Sequence, residues 1–189
     1  MGYATNAGTF LIETLIGLVL MVIMLRFILQ IIRADFHNPV SQFIVKVTNP
    51  MLVPLRRIIP GVAGIDMASI VLLLAIQYLE LFLLVTLQGA TFFPLGMLVI
   101  AIAKLIGLAI TVFTFSILIQ VIISWINPGV YNPVVGLLHQ INEPILGKAR
   151  RVIPPISGFD LSPIVAMIAL QLLSILLVAP ISDFGMSLR

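Results

Sequence analysis

The stretch NPVSQFIVKVTNPMLVPLRRIIPGVAGIDM, residues 38–67, returns 94 residues later as NPVVGLLHQINEPILGKARRVIPPISGFDL, residues 132–161. The alignment needs no gap. Over residues 38–77, fifteen of forty positions equal their partners: Asn38, Pro39, Val40, Pro50, Leu52, Arg56, Arg57, Ile59, Pro60, Gly64, Asp66, Ile70, Val71, Ala75 and Gln77. Chance matching in an apolar chain would favour Leu, Ile and Val, yet Asn, Pro, Arg and Asp recur here. A tandem repeat governs the architecture, so it is read before single residues.

What surrounds the repeat is apolar. Of 189 residues, 61% are hydrophobic and 9% are charged, against about 25% charged in a soluble domain. The bilayer is therefore the main solvent, and the whole chain, 1–189, reads as a single membrane domain. With no cysteine, disulfides, thiolate-bound metals and thiol catalysis are excluded. The first apolar run has no basic residue before it and contains Glu13, so a cleavable signal peptide is not expected.

Four runs supply the ~20 apolar residues that a ~30 Å hydrocarbon core demands. They predict an all-α protein with spans at about 10–32, 67–87, 106–126 and 161–179. Repeat 1 covers 10–87 and repeat 2 covers 95–180, with residues 95–103 extending the third span or lying near the interface. Pro94 and Pro180 mark boundaries, because proline disrupts a helix interior. In the loops, Val40–Thr48 and Val134–Asn142 suit short amphipathic helices. Asn38-Pro39 and Asn132-Pro133 supply a cap and a first-turn proline for each. The second of these helices is expected to stop before Glu143-Pro144. A proline-bounded segment along the headgroup layer then follows in each copy, ending at Pro60 and Pro154. Pro54 stands where the second copy has Lys148, so the two segments need not share one conformation.

Two spans per repeat give both copies the same topology, related by a pseudo-twofold axis along the membrane normal. Inverted-repeat transporters differ in this respect. Seven of the ten basic residues lie in the motif loops: Arg33, Lys46, Arg56, Arg57, Lys148, Arg150 and Arg151. The positive-inside rule then puts both loops in the cytoplasm and both termini outside.

The arginine pairs Arg56-Arg57 and Arg150-Arg151 are the first candidate site. They set topology and meet lipid headgroups, each interfacial base contributing ~1 kcal/mol near anionic lipid. Alternatively, their planar forks recognise a carboxylate or phosphate. Asp66 and Asp160, each two residues after Gly64 or Gly158, suit N-caps of the re-entering helices and are free to pair with the arginines. Inside the spans, Arg26, Gln30 and Arg33 form one stripe, matched by Gln120, Ser124 and Asn127. Gln77 and Glu80 are matched by Gln171 and Ser174. Such groups face a bundle interior by default, which predicts a modestly polar core. Lys104 can reach Glu13 or Glu80. Structural bonding and snorkelling compete here with a proton or cation path. His139 and Glu143 stand i, i+4 without a third ligand, so no metal is expected. Trp125 and Tyr131 suit an aromatic belt. No phosphate-cradling loop, nucleophile elbow or carboxylate pair is present, so neither an enzyme nor a cofactor is expected.

Asn132-Pro133-Val134, Pro144, Arg150-Arg151-x-Ile153-Pro154 and Gly158-x-Asp160 through Ile164-Val165, with the weaker copy Asn38–Val71, resemble the YggT (YlmG) family of small membrane proteins. With their helices, the copies cover nearly the whole chain. The first copy departs at Pro54 and at Gly61, where the second has Pro155. The resemblance implies a bacterial inner-membrane protein without established activity, whose relatives are associated with cytochrome b assembly, nucleoid or division-related organisation and membrane homeostasis.

The expected function is a non-enzymatic scaffold or assembly factor. Its Arg-Arg-x-Ile-Pro / Gly-x-Asp modules would hold anionic lipid or an acidic membrane or cytoplasmic protein. A homo-oligomer is compatible with this reading, and no nucleic-acid binding is expected. An ion or osmolyte conduit through a polar bundle is the alternative, and a cytochrome b or haem assembly helper is third.

Overall fold

The structure, a computed structural model, describes residues 2–127, 129, 132–154 and 160–189. Among them are six helices: α1 Tyr3–Ile31, α2 Pro39–Ile58, α3 Met67–Leu87, α4 Pro94–Ile126, α5 Pro133–Val152 and α6 Ser162–Ser187. Four of them, α1, α3, α4 and α6, are long and apolar enough to cross a membrane, and the protein is an all-α membrane protein of two tandem repeats. The units α1–α2–α3 and α4–α5–α6 follow the sequence repeat. Gly158 and Tyr131 lie outside the described residues.

Helix ends follow local chemistry. Asn38 Oδ1 accepts the Val40 N–H at 2.9 Å, and Asn132 Oδ1 accepts that of Val135 at 2.9 Å. Each cap satisfies one orphan donor, and the next residue, proline, has no N–H to orphan. Helix α3 closes in a Schellman motif: Ala90 N–H bonds to the Val85 carbonyl and Gly89, at φ 63°, to that of Thr86. Helix α1 closes the same way, with Arg33 in the left-handed position at φ 54°. Arg33 therefore leaves the helix face predicted to carry it with Arg26 and Gln30.

Four prolines lie inside helices and do not end them. Helix α2 runs through Pro50 and Pro54, and α5 through Pro144, each to a 20-residue length. A helix-interior proline costs ~3 kcal/mol, and tertiary burial offsets it. Leu52 and Leu146, at equivalent positions just beyond Pro50 and Pro144, are fully buried. Both helices end in extended backbone, at Ile59 and Ile153; exchanging Pro54 for Lys148 leaves the conformation unchanged. Pro180 lies inside α6, which continues to Ser187. A π turn at Ser174–Val178 precedes it, and its widened ring absorbs the missing N–H and the bulk of the proline. Residues 95–103 extend the third span, giving a 33-residue helix of ~50 Å.

Helix α3 packs between α1 and α4, and α6 packs on α4. A Cβ on Gly96 would strike the Gly185 carbonyl, and one on Gly185 would come within 2.9 Å of the Gly96 carbonyl. These two glycines set the close α4–α6 approach. One apolar core cluster has Leu20, Ile23, Met24, Ile28 and Leu29 of α1 meeting Leu73, Val112, Leu137 and Ile141. A second cluster gathers Ile110, Ile117, Leu146, Ala166 and Leu170. The predicted polar stripes do not merge into one polar interior: the buried polar groups, Arg26, Gln77, Glu80, Ser116 and Asn142 among them, divide among separate sites between the helices.

Candidate functional site

The two motif loops meet on one end of the molecule. Asn38 Nδ2 donates to the Pro133 carbonyl at 2.6 Å, and Asp35 N–H donates to Gln140 Oε1 at 2.8 Å. The starts of the two loop helices are therefore joined directly.

Within the first pair, the two arginines have different environments. Arg56 donates through Nε (3.1 Å) and Nη2 (2.5 Å) to Asp66 Oδ2, and Ser69 Oγ donates to the same oxygen. Asp66 occupies the N-cap position of α3, but its carboxylate serves Arg56 and Ser69, and no side-chain cap forms. Burial alone would push the Asp66 carboxyl up; the hydrogen bonds of Arg56 and Ser69 and the arginine's charge outweigh that and hold it below the usual carboxylate range. Between Arg56 and Asp66 the chain turns at Ala63-Gly64, with φ 52° and 81°. Val62 and Ile65 exchange both backbone hydrogen bonds across this turn, as in a type I′ hairpin, where Gly64 supplies left-handed backbone freely. Arg57 is exposed and makes no side-chain hydrogen bond or ion pair among the described residues.

The second pair repeats this division. Arg150 Nε donates to Asp160 Oδ2 at 3.0 Å, while its Nη1 donates to Glu143 Oε2 at 2.9 Å. Its pKa is raised by the hydrogen bond to Asp160, despite desolvation, with Glu143 adding to the effect. Asp160 Oδ1 accepts the Ser162 N–H at 2.8 Å. Burial pushes the Asp160 carboxyl up, but Ser162 and Arg150 together leave it lowered. Arg151 is exposed and, like Arg57, has no such partner among the described residues.

A second tie joins each long helix to its loop helix. Arg26, 5% exposed, donates from Nη1 to the Val45 carbonyl (2.9 Å), Thr48 Oγ1 (2.7 Å) and Asn49 Oδ1 (2.9 Å). At the equivalent place Gln120 contacts His139 Nδ1 (3.0 Å) and accepts from Asn142 Nδ2 (2.7 Å). Asn142 is fully buried and also takes the Ser116 hydroxyl. Val45, Thr48 and Asn49 correspond to His139, Asn142 and Glu143. Sequence reasoning alone does not pick out Thr48, Asn49 and Asn142 as site residues, and it weighs Glu143 only as a metal ligand beside His139; the signal for them is their matched spacing from the Asn-Pro caps. His139 faces Gln120, and Glu143 turns to Arg150, so the pair does not converge.

The remaining intramembrane polar groups separate. Lys104 Nζ closes on Glu80 Oε1 at 2.7 Å, and Gln77 Nε2 donates to Glu80 Oε2 at 3.1 Å; this joins α3 to α4. Gln30 Nε2 reaches the Gly64 carbonyl at 3.1 Å. Glu13, Ser124 and Gln171 are exposed on their helices and do not face an interior, because the outward faces of α1, α4 and α6 have no neighbouring span. Trp125 is 81% exposed at the end of α4.

The profile of the CCB3/YggT family matches residues 5–87 and 99–181, one match per repeat. The chain is 47% identical over 175 residues to an uncharacterised protein of Pseudomonas aeruginosa, covering 92% of this chain and 89% of that one. It is 36% identical over 173 residues to the uncharacterised protein YggT of Escherichia coli (strain K12), covering 89% and 88%. A shorter match, 36% over 78 residues, 40% of this chain and 44% of the relative, is to the chloroplastic protein CCB3 of Arabidopsis thaliana, whose full name refers to cofactor assembly of complex C. No solved structure matches. Two matched repeats and relatives aligned over most of their length establish that the chain belongs to the CCB3/YggT family.

Proposed function

We propose that this protein is a non-enzymatic scaffold or assembly factor of the bacterial inner membrane, with both motif loops on the cytoplasmic side. The two modules present their second arginines, Arg57 and Arg151, to anionic headgroups or an acidic protein. The observation that carries this reading is the division of labour in each pair. The first arginine is spent on an internal carboxylate, and the second is exposed, Arg151 one turn from exposed Lys148 and Arg57 on the same helix as exposed Lys46. A base placed so at an interface contributes ~1 kcal/mol near anionic lipid. The name of the chloroplast relative, which refers to cofactor assembly, supports an assembly role over catalysis. The closure of the buried polar groups on near neighbours, Glu80 on Lys104 and Gln77, and Arg26 on Thr48 and Asn49, weighs against the conduit.

Native mass spectrometry of protein extracted with its membrane lipid tests the proposal. Arg57→Glu/Arg151→Glu should retain less anionic lipid and lose any acidic partner, while the melting temperature stays within about 2 °C of the parent, as for an exposed substitution. Retention unchanged in that variant would overturn it.

A further inference from the structure

A groove of about 850 Å³ opens in the first module, between α1, α2 and the Gly61–Asp66 turn. Arg26, Lys46 and Arg56 line it, against a single carboxylate, Asp66. That carboxylate is already held by Arg56 and Ser69. Arg26 is 5% exposed, and every acceptor on its Nη1 is neutral. A buried guanidinium with no carboxylate of its own is costly, and an anion beside it removes that cost. Lys46 stands at the rim, exposed and without a bonded partner among the described residues. Gln30, also in the lining, fixes its amide by donating to the Gly64 carbonyl, so its buried Oε1 is left without a donor. That acceptor suits a hydroxyl.

Among the described residues, the second module has the same helices and the opposite balance. Gln120 replaces Arg26, Gln140 replaces Lys46, and Glu143 replaces Asn49. Arg150 there faces two carboxylates, Glu143 and Asp160.

We propose that the first module's groove binds a phosphoryl anion bearing a hydroxyl, supplied by a lipid headgroup or by a soluble phosphate compound, and that the second module does not. The site deepens the headgroup-facing reading above but does not depend on Arg57 or Arg151. Arg26 and Lys46 hold the phosphoryl oxygens, Gln30 takes the hydroxyl, and exposed Phe36 and Ile65 flank the mouth.

Delipidated full-length protein in neutral detergent, titrated calorimetrically, tests the site. The probes are inorganic phosphate, a short-chain phosphatidylglycerol and a short-chain phosphatidylcholine. Saturable binding of the phosphatidylglycerol but not phosphate supports a lipid source, and binding of phosphate alone as well supports a soluble one. Arg26→Gln, which installs the second module's residue, should weaken binding at least about tenfold. Lys46→Gln, which breaks no internal bond, should weaken it about fivefold and carries the test should Arg26→Gln fold poorly. Arg57→Gln/Arg151→Gln should leave this binding intact, so the groove and the surface reading fail separately. No saturable binding by either anion, equal binding of phosphatidylcholine, or affinity unchanged in Lys46→Gln would overturn the proposal.

Discussion

The two modules share a frame and differ in where they carry charge. In the first, the cation sits on the long helix, at Arg26, and the loop helix offers it neutral acceptors. In the second, the long helix is neutral at Gln120, and the loop helix carries Glu143, which adds a second carboxylate to the motif arginine. What both retain is the Arg56–Asp66 and Arg150–Asp160 bond between the end of a loop helix and the start of the next span. The retained pair therefore shapes the module, and the varied positions set what each module can hold.

The comparison breaks most visibly at the helix crossings. Gly96 corresponds in the repeat to Gly2, yet a Cβ on Gly96 collides with the Gly185 backbone while one on Gly2 meets nothing within 4 Å. Gly96→Leu should destabilise by about 3 kcal/mol or more, as overpacking against backbone does, and Gly2→Leu by almost nothing. Denaturant unfolding in detergent measures both.

Next in size is loss of the carboxylate. Asp66 is buried, with a side chain 7% exposed, whereas Asp160 is 37% exposed. Asp66→Asn should cost about 2 kcal/mol, since it strands Arg56 and Ser69 together. Asp160→Asn should cost about 1 kcal/mol or less, because solvent screens that site and Glu143 still holds Arg150. Equal losses would mean that the two modules are not distinguished by burial.

Acid should act on both in the same direction. Each folded carboxyl lies below its ordinary value, so the unfolded chain binds protons first as pH falls. The stabilisation is present above about pH 4, the unfolded carboxylate value, and is lost as pH drops through the lowered folded values. Melting curves at descending pH should show this loss, and Asp66→Asn/Asp160→Asn should flatten it.

The smallest effect concerns the turn. Ala63 holds φ 52°, a left-handed conformation that costs a non-glycine residue about 1 kcal/mol. Asn suits the first centre of a type I′ turn. Ala63→Asn should therefore stabilise the protein by about 0.5 kcal/mol, raising its melting temperature slightly.

The spans, the caps and the doubled module were legible in the sequence because each rests on short-range chemistry. Apolar runs match bilayer thickness, and Asn-Pro announces a helix start in both copies. Proline positions misled, since Pro50, Pro144 and Pro180 are tolerated only through burial and a π turn that involve distant residues. Gln171 repeats Gln77 in sequence but not in burial, because α3 lies between two spans and α6 lies against one. The division within each arginine pair was also hidden. Adjacent residues on a helix point about 100° apart, and only the fold shows which of them meets the aspartate.

That division is the central claim, and one measurement tests it directly: the melting temperatures, in the same detergent, of Arg56→Lys/Arg150→Lys and Arg57→Lys/Arg151→Lys. All four charges are kept, but lysine lacks the Nε used in both internal bonds. The first variant should melt several degrees below the parent, on the order of 1 kcal/mol lost at each site, and the second should melt with the parent. Equal melting of the two variants, or a larger loss in the second, would contradict the account.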